Sequence, residues 1–447
     1  MTLGGANDQP SGGDHGPKTP IGGIPVTAKN STVDDSLNMT RRGLRSRNKN
    51  GRPSTKRILA IDLFAGCGGA TLGFKQEGFR VAAAVEVDPT AAETYRLNHP
   101  EVILFEEDIL EITPRRILRR SGFRKGEVTV ILGCPPCQGF SRQRRGKRDE
   151  RNKLVRVFAE FVAAIKPQLF VLENVPGLAN GAGKRIFQDA LETLRECGYS
   201  VVHDILNAAD YGVPQRRKRV VVIGSLNGSV SLPSPTHCSP RRLKSSLDTS
   251  TPLKPWRTVR DAIGNLRGLS SGKADPKDPL HAAPRHGEKA LKRLRNIPRN
   301  GGSRNQLPRD LVLKCHEKHD GHRDVYGRMK WDIVAPTITG GCNRVSKGRF
   351  AHPKQNRGIT MREAALLQTF PKSYQFFGGR SAIALQLGNA VPVGLARAIA
   401  RHLRNFVSLS GGGAASGRSK SKKAPNGAKR WKLGRRVRVW GSRKRVI

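Results

Sequence analysis

ILAIDLFAGCGG, residues 58–69, is an apolar run that ends in a glycine-rich turn. The run has the composition of a buried strand, and a glycine-rich turn between a strand and a helix lets a ligand approach the backbone closely. Thr71 stands where a dinucleotide-binding fingerprint would have its third glycine, which disfavours a pyrophosphate. An adenosine that carries a cationic sulfur fits this turn better, and a plain tight turn is the alternative.

Acidic residues near the ends of the first strands predict how such a ligand would be held. Glu86 closes the second apolar run, 20 residues after Gly66, where a carboxylate can accept both ribose hydroxyls of an adenosine cofactor. Asp62 and Asp108, each near a strand end, either offset the positive charge or bind the adenine amine. Ordinary solvated acids are the alternative.

Apolar runs alternate with helical segments as far as residue 224. The helical segments are predicted at 154–165 and 186–197. The predicted strands are Ile58–Phe64, Val81–Val87, Val102–Phe105, Val128–Leu132, Leu169–Leu172 and Val220–Ile223. This alternation predicts an α/β fold with a doubly wound, mostly parallel sheet.

Changes in composition divide the chain into five segments. Residues 1–56 are predicted to be a disordered basic extension and residues 408–447 a disordered basic tail. Residues 57–225 form the first domain, and 226–322, rich in Pro, Ser and Arg, form a smaller, loop-rich domain. Residues 323–407 return to the first domain, with a capping box at Thr360 and Glu363 and a final helix near 393–406.

The net charge of +46, from 81 basic and 35 acidic residues, predicts a polyanionic partner such as nucleic acid. A membrane surface is the lesser alternative, since we expect no run of about 18 apolar residues that would span a bilayer. The first residues lack the apolar core of a secretion signal. Seven scattered cysteines indicate a reducing compartment. We therefore expect a cytoplasmic, nucleoid-associated protein.

A second motif, GCPPCQGFS at 133–141, follows the strand predicted at 128–132. Its two prolines stiffen the backbone and bring Cys137 into a loop, which is how a nucleophile is presented at the carboxyl edge of a sheet. Cys134 and Cys137 also form a C-x-x-C pair, which is found in redox sites and in half of a metal site. The motif by itself leaves both interpretations open.

Two further segments supply candidate site residues. Glu173 ends the strand predicted at 169–172 and is expected in the same crevice as Cys137, where a partly buried carboxyl can stay protonated. Gln215, Arg217 and Arg219 alternate onto one face of the chain, which suits phosphate and base contacts. The alternatives are an ordinary strand-end acid and a solvated run of charges.

One cluster could bind a metal ion. Cys315, His316, His319 and His322 include ligands spaced by three residues. Nearby glycine and charge indicate a mobile loop, and the chain has no second ligand cluster. We predict no metal site.

Taken together and in this order, these elements resemble the C5-cytosine DNA methyltransferase family over about residues 58–405. Each motif is weak alone, whereas the ordered set is highly specific. The matching segments are residues 62–69, Glu86, Asp108, the Pro-Pro-Cys-Gln loop, Glu173-Asn174-Val175, Gln215-x-Arg217-x-Arg219, residues 328–332 with 335–339, and Gly388-Asn389-Ala390-Val391-Pro392.

The resemblance implies S-adenosylmethionine as methyl donor and a flipped cytosine in duplex DNA as acceptor, with residues 226–322 as target-recognition domain. It implies that Cys137 attacks carbon 6 of the base and that Glu173 contacts ring nitrogen 3. Arg217 would hold the flipped nucleotide and Arg219 the active-site loop. The implied cofactor residues are Asp62, Phe64, Gly66, Gly68, Gly69, Glu86, Asp108, Pro136, Asn389 and Val391.

Related classes differ from this chain in specific features. Transfer-RNA methyltransferases of the same lineage lack a sizeable variable domain such as 226–322. A non-catalytic DNA-binding relative would be expected to lose Cys137 or Glu173.

Val87 departs from the family pattern, since some members have a bulky aromatic there against the adenine. We expect a monomer on duplex DNA, and the resemblance also allows a cognate restriction endonuclease that acts separately.

Overall fold

The computed structural model describes residues 58–136, 153–245, 252–313, 315 and 324–411. The predictions made for residues 1–56, for the tail beyond 411, for Cys137 and for the three histidines of the candidate metal cluster lie outside these ranges. Within them, the molecule is built on a seven-stranded sheet in the order β3-β2-β1-β4-β5-β7-β6.

The sheet strands confirm the six predicted runs and add one strand. They are β1 Leu59–Leu63, β2 Arg80–Val85, β3 Ile103–Phe105, β4 Val130–Gly133, β5 Leu169–Asn174, β6 Ser200–Asn207 and β7 Lys218–Ser225. The helices of this part are α1 Gly69–Gln76, α2 Pro89–Asn98, α3 Pro114–Ser121, α4 Leu154–Ile165, α5 Pro176–Asn180 and α6 Lys184–Glu196. The predicted helices at 154–165 and 186–197 are α4 and α6.

Strands β1 to β5 are parallel, and each sheet face is covered by helices. Ile61 and Leu63 of β1 face one apolar core together with α4 and α6. Ala60 faces a second core with α1 and the C-terminal helix. Burial on both faces explains why β1, β2, β4 and β5 are continuous apolar runs, without polar alternation. The doubly wound α/β prediction is therefore confirmed.

The last two strands reverse direction. Strand β7 pairs antiparallel with both β5 and β6. Strand β6 lies at the edge of the sheet and is mostly half-buried or exposed, so it has no apolar run for the sequence analysis to detect. Edge strands with one pairing partner commonly carry such mixed patterns.

Residues 226–313 contain short elements separated by loops, in agreement with the predicted loop-rich character. These elements are β8 His237–Cys238, α7 Pro240–Ser245, β9 Lys254–Pro255, α8 Val259–Ile263, β10 Ala274–Asp275, β11 Asp278–Ala282 and α9 Glu288–Asn296. This region belongs to the same compact unit as the sheet. Asp278 forms an ion pair with Arg362 at 2.6 Å, and His281 hydrogen-bonds Thr360 at 3.1 Å.

The chain then returns to the sheet through α10 Met361–Leu367, α11 Arg380–Asn389 and α12 Val393–Gly411. The predicted capping box is confirmed, because the side chains of Thr360 and Glu363 each accept the other residue's backbone N–H. Helix α12 extends to Gly411, so the predicted tail boundary at 408 is wrong. Its last turn, residues 409–411, continues the helix although Leu409 is exposed.

The expectation that no stretch could cross a membrane also needs correction. By length and composition, Arg380–Leu409 passes as a candidate span, the one such stretch within the described residues. However, 61% of its most apolar window is buried, and residues such as Leu395 and Leu403 belong to the second core. A core helix of a globular domain has these same properties.

Candidate active site

The glycine turn after β1 has the backbone conformation that its sequence demands. Gly66 and Gly68 have φ values of +55° and +85°, a region that favours glycine. A Cβ atom on Gly68 would also lie 2.6 Å from the His99 ring and the Tyr374 hydroxyl. A Cβ atom on Gly69 would lie 2.5 Å from the carbonyl oxygen of Val391. The turn is thus packed from behind, and only glycine fits it.

Glu86 lies directly beside this turn. Its carboxylate accepts hydrogen bonds from the backbone N–H of Gly66 at 2.7 Å and of Asp88 at 2.9 Å. Burial raises the pKa of Glu86 above its usual value, and these two hydrogen bonds lower it. Glu86 therefore bridges the glycine turn and the start of the loop after β2.

Asp62 is completely buried one residue before the end of β1. One carboxylate oxygen accepts a hydrogen bond of 2.6 Å from the Thr71 hydroxyl, which lies 2.9 Å from the Tyr95 hydroxyl. The other oxygen, Oδ1, is buried without a hydrogen-bond partner among the described residues. Burial raises the pKa of Asp62 to about 7; the Thr71 hydrogen bond opposes this shift, and the nearby Glu86 adds to it.

The two acids at the turn differ from other carboxylates in their charge environment. Glu77 pairs with Arg397 and Arg401, and Glu363 pairs with Arg357. Within the described residues, no cation lies within ion-pair distance of either Asp62 or Glu86. A carboxylate without a neighbouring cation favours a positively charged ligand.

The other predicted cofactor residues occupy different environments. Val391 is buried and its carbonyl lies against the glycine turn, whereas Asn389 is exposed at the end of α11. Phe64, at φ +64°, is half-buried and packs against the first core. Asp108 accepts the N–H of Leu110 at 3.0 Å, so its carboxylate also stabilises its own loop.

The Pro-Pro segment is held against the end of β5. Asn174 donates a hydrogen bond of 2.9 Å from its side-chain amide to the Pro135 carbonyl oxygen. The described residues stop at Pro136, immediately before Cys137 in the sequence. Burial, followed by the negative charges of Glu173 and Asp62, raises the pKa of the Cys134 thiol well above its usual value. Cys134 is therefore a poor thiolate nucleophile.

Glu173 and Arg219 form an ion pair at this same edge of the sheet. The Glu173 carboxylate lies 3.1 Å from Arg219 Nε, and both side chains are largely buried. Burial lowers the pKa of Arg219, and the charge of Glu173 opposes that change. The sequence predicts Glu173 in the crevice but carries no signal that Arg219 is its partner.

The structure does not support the predicted crevice-facing roles of Gln215 and Arg217. Both side chains are buried, with exposed fractions of 0% and 1%. Gln215 bonds to Gln368, and Arg217 donates to the carbonyl oxygens of Ile338, Gly388 and Ala390. Residues 335–339 and 388–390 return to cover this face of the chain, so strand alternation alone misplaced these two side chains.

A small, partly open cavity of about 20 Å³ lies between the ends of β4 and β5, helix α1 and Val391. Cys134 and Glu173 line it from β4 and β5, Ala70 and Phe74 line it from α1, and Val391 closes it. Residues predicted for catalysis and for cofactor binding therefore share one edge of the sheet. Within the described residues, no group of three or more His, Cys, Asp or Glu side chains could hold a metal ion.

The sheet order, the glycine turn and the acid that follows β2 define a Rossmann-like, S-adenosylmethionine-dependent methyltransferase fold. Solved structures with this fold include a prophage-encoded DNA modification methyltransferase of E. coli, at a TM-score of 0.59 and 24% identity. Another is the S. pombe Dnmt2 methyltransferase, at 0.52 and 17%. Each alignment covers 78% of this chain and 99% of the other.

The chain belongs to the C-5 cytosine-specific DNA methylase family, whose sequence model matches residues 58–405. It is 37% identical over 355 residues to the Type II methylase M.HgiDII of Herpetosiphon aurantiacus, covering 78% of this chain and 95% of that protein. It is 36% identical to M1.HphI of Haemophilus parahaemolyticus, covering 76% and 85%. The resemblance and the enzyme class it implied, DNA (cytosine-5-)-methyltransferase, are confirmed.

Proposed function

We propose that this enzyme transfers a methyl group from S-adenosylmethionine to carbon 5 of a flipped cytosine in a specific duplex DNA sequence. The observation that carries the proposal is the shared edge of the sheet, where the Glu173–Arg219 pair and the segment leading to Cys137 lie beside the acidic glycine turn. We also infer that residues 226–322 read the DNA sequence. We infer that the enzyme is a cytoplasmic monomer and that a cognate restriction endonuclease would act separately from it.

The cofactor fits the residues present. The glycine turn leaves its backbone open on the ligand side, since nothing lies within 4 Å of a Cβ built on Gly66. Asp62 and Glu86 supply negative charge without a protein cation, and Glu86 offers two acceptor oxygens for ribose hydroxyls. When bound, S-adenosylmethionine supplies an electrophilic methyl group on a cationic sulfur.

Covalent attack by a cysteine overcomes the low nucleophilicity of carbon 5 of cytosine. The Cys137 thiolate adds to carbon 6 of the base, and carbon 5 gains the electron density needed to accept a methyl group. A base then removes the proton at carbon 5, and the thiolate leaves. The cytosine must leave the helical stack, because carbon 6 is out of reach inside a duplex.

Glu173 and Arg219 assist at the base. Glu173 contacts ring nitrogen 3 and stabilises the covalent intermediate. Arg219 lies 3.1 Å from Glu173, so its guanidinium is the one suited to the flipped nucleotide. We therefore transfer the nucleotide-holding role from Arg217 to Arg219. The buried Asn174 positions the Pro-Pro segment from which Cys137 follows.

Bisulfite sequencing tests the proposed function directly. DNA from cells that express the chain should contain 5-methylcytosine at one recurring sequence, and DNA from cells that express a Cys137→Ser variant should contain none. Methylation scattered without a common sequence would contradict recognition by residues 226–322. Absence of methylation with the folded wild-type enzyme would contradict the function itself.

Asp62→Asn is expected to stabilise the ligand-free protein near pH 8 and to change its stability little near pH 4. The pKa rises from 3.8 to about 7 on folding, so the unfolded chain loses this proton first and stability falls as pH rises between these values. A shift of this size amounts to about 4 kcal/mol. Asparagine cannot ionise and still offers an oxygen to Thr71. Urea unfolding of both proteins at the two pH values measures the difference.

The pH dependence of methyl-donor binding is a second, independent test of the Asp62 charge. A cationic sulfonium favours the ionised carboxylate, so wild-type affinity for S-adenosylmethionine should increase from about pH 6 to about pH 8. S-adenosylhomocysteine, whose sulfur is neutral, should show a smaller dependence, and Asp62→Asn should remove the difference. Equal pH dependence for both ligands in the wild type would mean that Asp62 does not respond to the sulfur charge.

A further inference from the structure

Arg217 is a fully buried cation that is solvated by carbonyl oxygens alone. Its Nη1 donates to Ile338 at 2.9 Å, and its Nη2 donates to Gly388 and Ala390, each at 2.9 Å. No carboxylate among the described residues pairs with it. Burial lowers its pKa well below the usual value, and the neighbouring charge of Arg219 lowers it further. These acceptors are therefore the main stabilisation of a desolvated charge.

The carbonyl oxygens that accept hydrogen bonds from Arg217 belong to two segments of the chain with different proposed functions. Ile338 lies in the segment 335–340, through which the chain re-enters the catalytic domain after the proposed recognition domain. Gly388 and Ala390 belong to the cofactor loop, residues 388–391, which packs on the glycine turn. The two segments touch backbone to backbone, because a Cβ on Gly388 would lie 2.1 Å from the Gly340 nitrogen.

Two buried glutamines reinforce the same junction. Gln215 accepts the N–H of Ile338 at 2.9 Å and donates to the Gln368 side chain at 2.8 Å. Gln368 in turn donates to the carbonyl oxygen of Leu387, just before the cofactor loop. The side chains of Gln215, Arg217 and Gln368 are all buried, so a shift of either segment would leave polar groups unsatisfied.

We propose that Arg217 is a positioning residue that sets the cofactor loop against segment 335–340, so that DNA binding and donor binding favour the same arrangement. This inference rests on the proposed function. Since the three hydrogen bonds of Arg217 form together only when both segments are in place, ordering one segment by its ligand reduces the cost of ordering the other. The result is reciprocal coupling between the two ligands.

The test measures S-adenosylhomocysteine binding by calorimetry, with and without a duplex oligonucleotide that contains the site found by bisulfite sequencing. DNA should tighten binding to the wild type about tenfold, within the range usual for coupled sites. Arg217→Lys keeps the charge but cannot reach three acceptors in two segments. It should weaken binding about tenfold without DNA and reduce the coupling to less than about twofold.

Arg328→Lys is the matched control. Arg328 is equally buried and also donates to backbone carbonyl oxygens, including those of Ile297 and His352, but it does not contact the cofactor loop. This variant should lose stability and keep wild-type coupling. If Arg217→Lys does not fold, Gly388→Ala probes the same contact from the other segment and should lose coupling as well.

Several outcomes would overturn the inference. Wild-type coupling in folded Arg217→Lys and Gly388→Ala would remove the proposed role, and equal loss of coupling in Arg328→Lys would reduce it to general destabilisation. A wild-type enzyme that binds both ligands without coupling would contradict this inference alone. A wild-type enzyme that binds neither ligand would contradict the proposed function.

Discussion

Cys137→Ser is expected to abolish methyl transfer while leaving the fold and donor binding largely intact. A serine hydroxyl is a far weaker nucleophile than a thiolate near neutral pH, and the covalent step has no substitute in the proposed mechanism. Transfer of a labelled methyl group to DNA measures the loss, and calorimetry with S-adenosylhomocysteine confirms that the cofactor site remains. Cys134→Ser is the control variant.

The structure explains why Cys134→Ser is a suitable control. The pKa of Cys134 is raised well above its usual value by burial and by Glu173, so its thiol is not poised for attack. Cys134→Ser should therefore keep methyl transfer activity. Activity retained in Cys137→Ser and lost in Cys134→Ser would reverse the assignment of the nucleophile.

DNA with 5-fluorocytosine at the target should confirm the same residue by a different readout. Fluorine at carbon 5 cannot be removed as a proton, so the final elimination is blocked and the enzyme stays bonded to the base. A denaturation-resistant complex should form with the wild type and be absent with Cys137→Ser.

Glu173→Gln is expected to slow the chemical step by about a hundredfold or more. The amide keeps the size of the carboxyl group, but it leaves Arg219 without its buried ion-pair partner and weakens the contact to ring nitrogen 3. Single-turnover methyl transfer at saturating DNA measures the rate, and DNA affinity should change only modestly. A rate near that of the wild type would make Glu173 structural.

Glu77→Gln is the matched control for Glu173. Glu77 is also a buried glutamate and pairs with Arg397 and Arg401, but these contacts join α1 to α12, away from Glu173. This variant should lose stability yet keep its single-turnover rate. An equal rate loss in both variants would mean that removing any buried ion pair slows the enzyme.

Local sequence patterns predicted most of the sheet. Strands β1, β2, β4, β5 and β7 are visible as apolar runs because they are buried on both faces, and β3 is a short, half-buried apolar run at the edge of the sheet opposite β6. The glycine turn is visible because Gly66 and Gly68 adopt positive φ angles. Strand β6 escaped detection since an edge strand needs no continuous apolar run. The reversal of β7 also escaped, because strand direction leaves no mark on composition.

The candidate site, like the sheet, was predicted from the sequence only in part. Sequence alone placed Asp62, Glu86, the Pro-Pro-Cys segment and Glu173 at strand ends, and parallel strand ends share one edge of a sheet. Alternation also predicted a common face for Arg217 and Arg219, but β7 begins only at Lys218, so the pattern does not hold for Arg217. The groups that cover Arg217 come from segments that are distant in the sequence.

Only the tertiary structure separated the two arginines. Arg219 meets Glu173 of an adjacent strand, whereas Arg217 meets carbonyl groups 121 to 173 residues away in sequence. Periodicity and composition describe how a segment folds against its immediate neighbours along the chain. A buried guanidinium takes whichever acceptors long-range packing brings to it, and that choice depends on the whole fold.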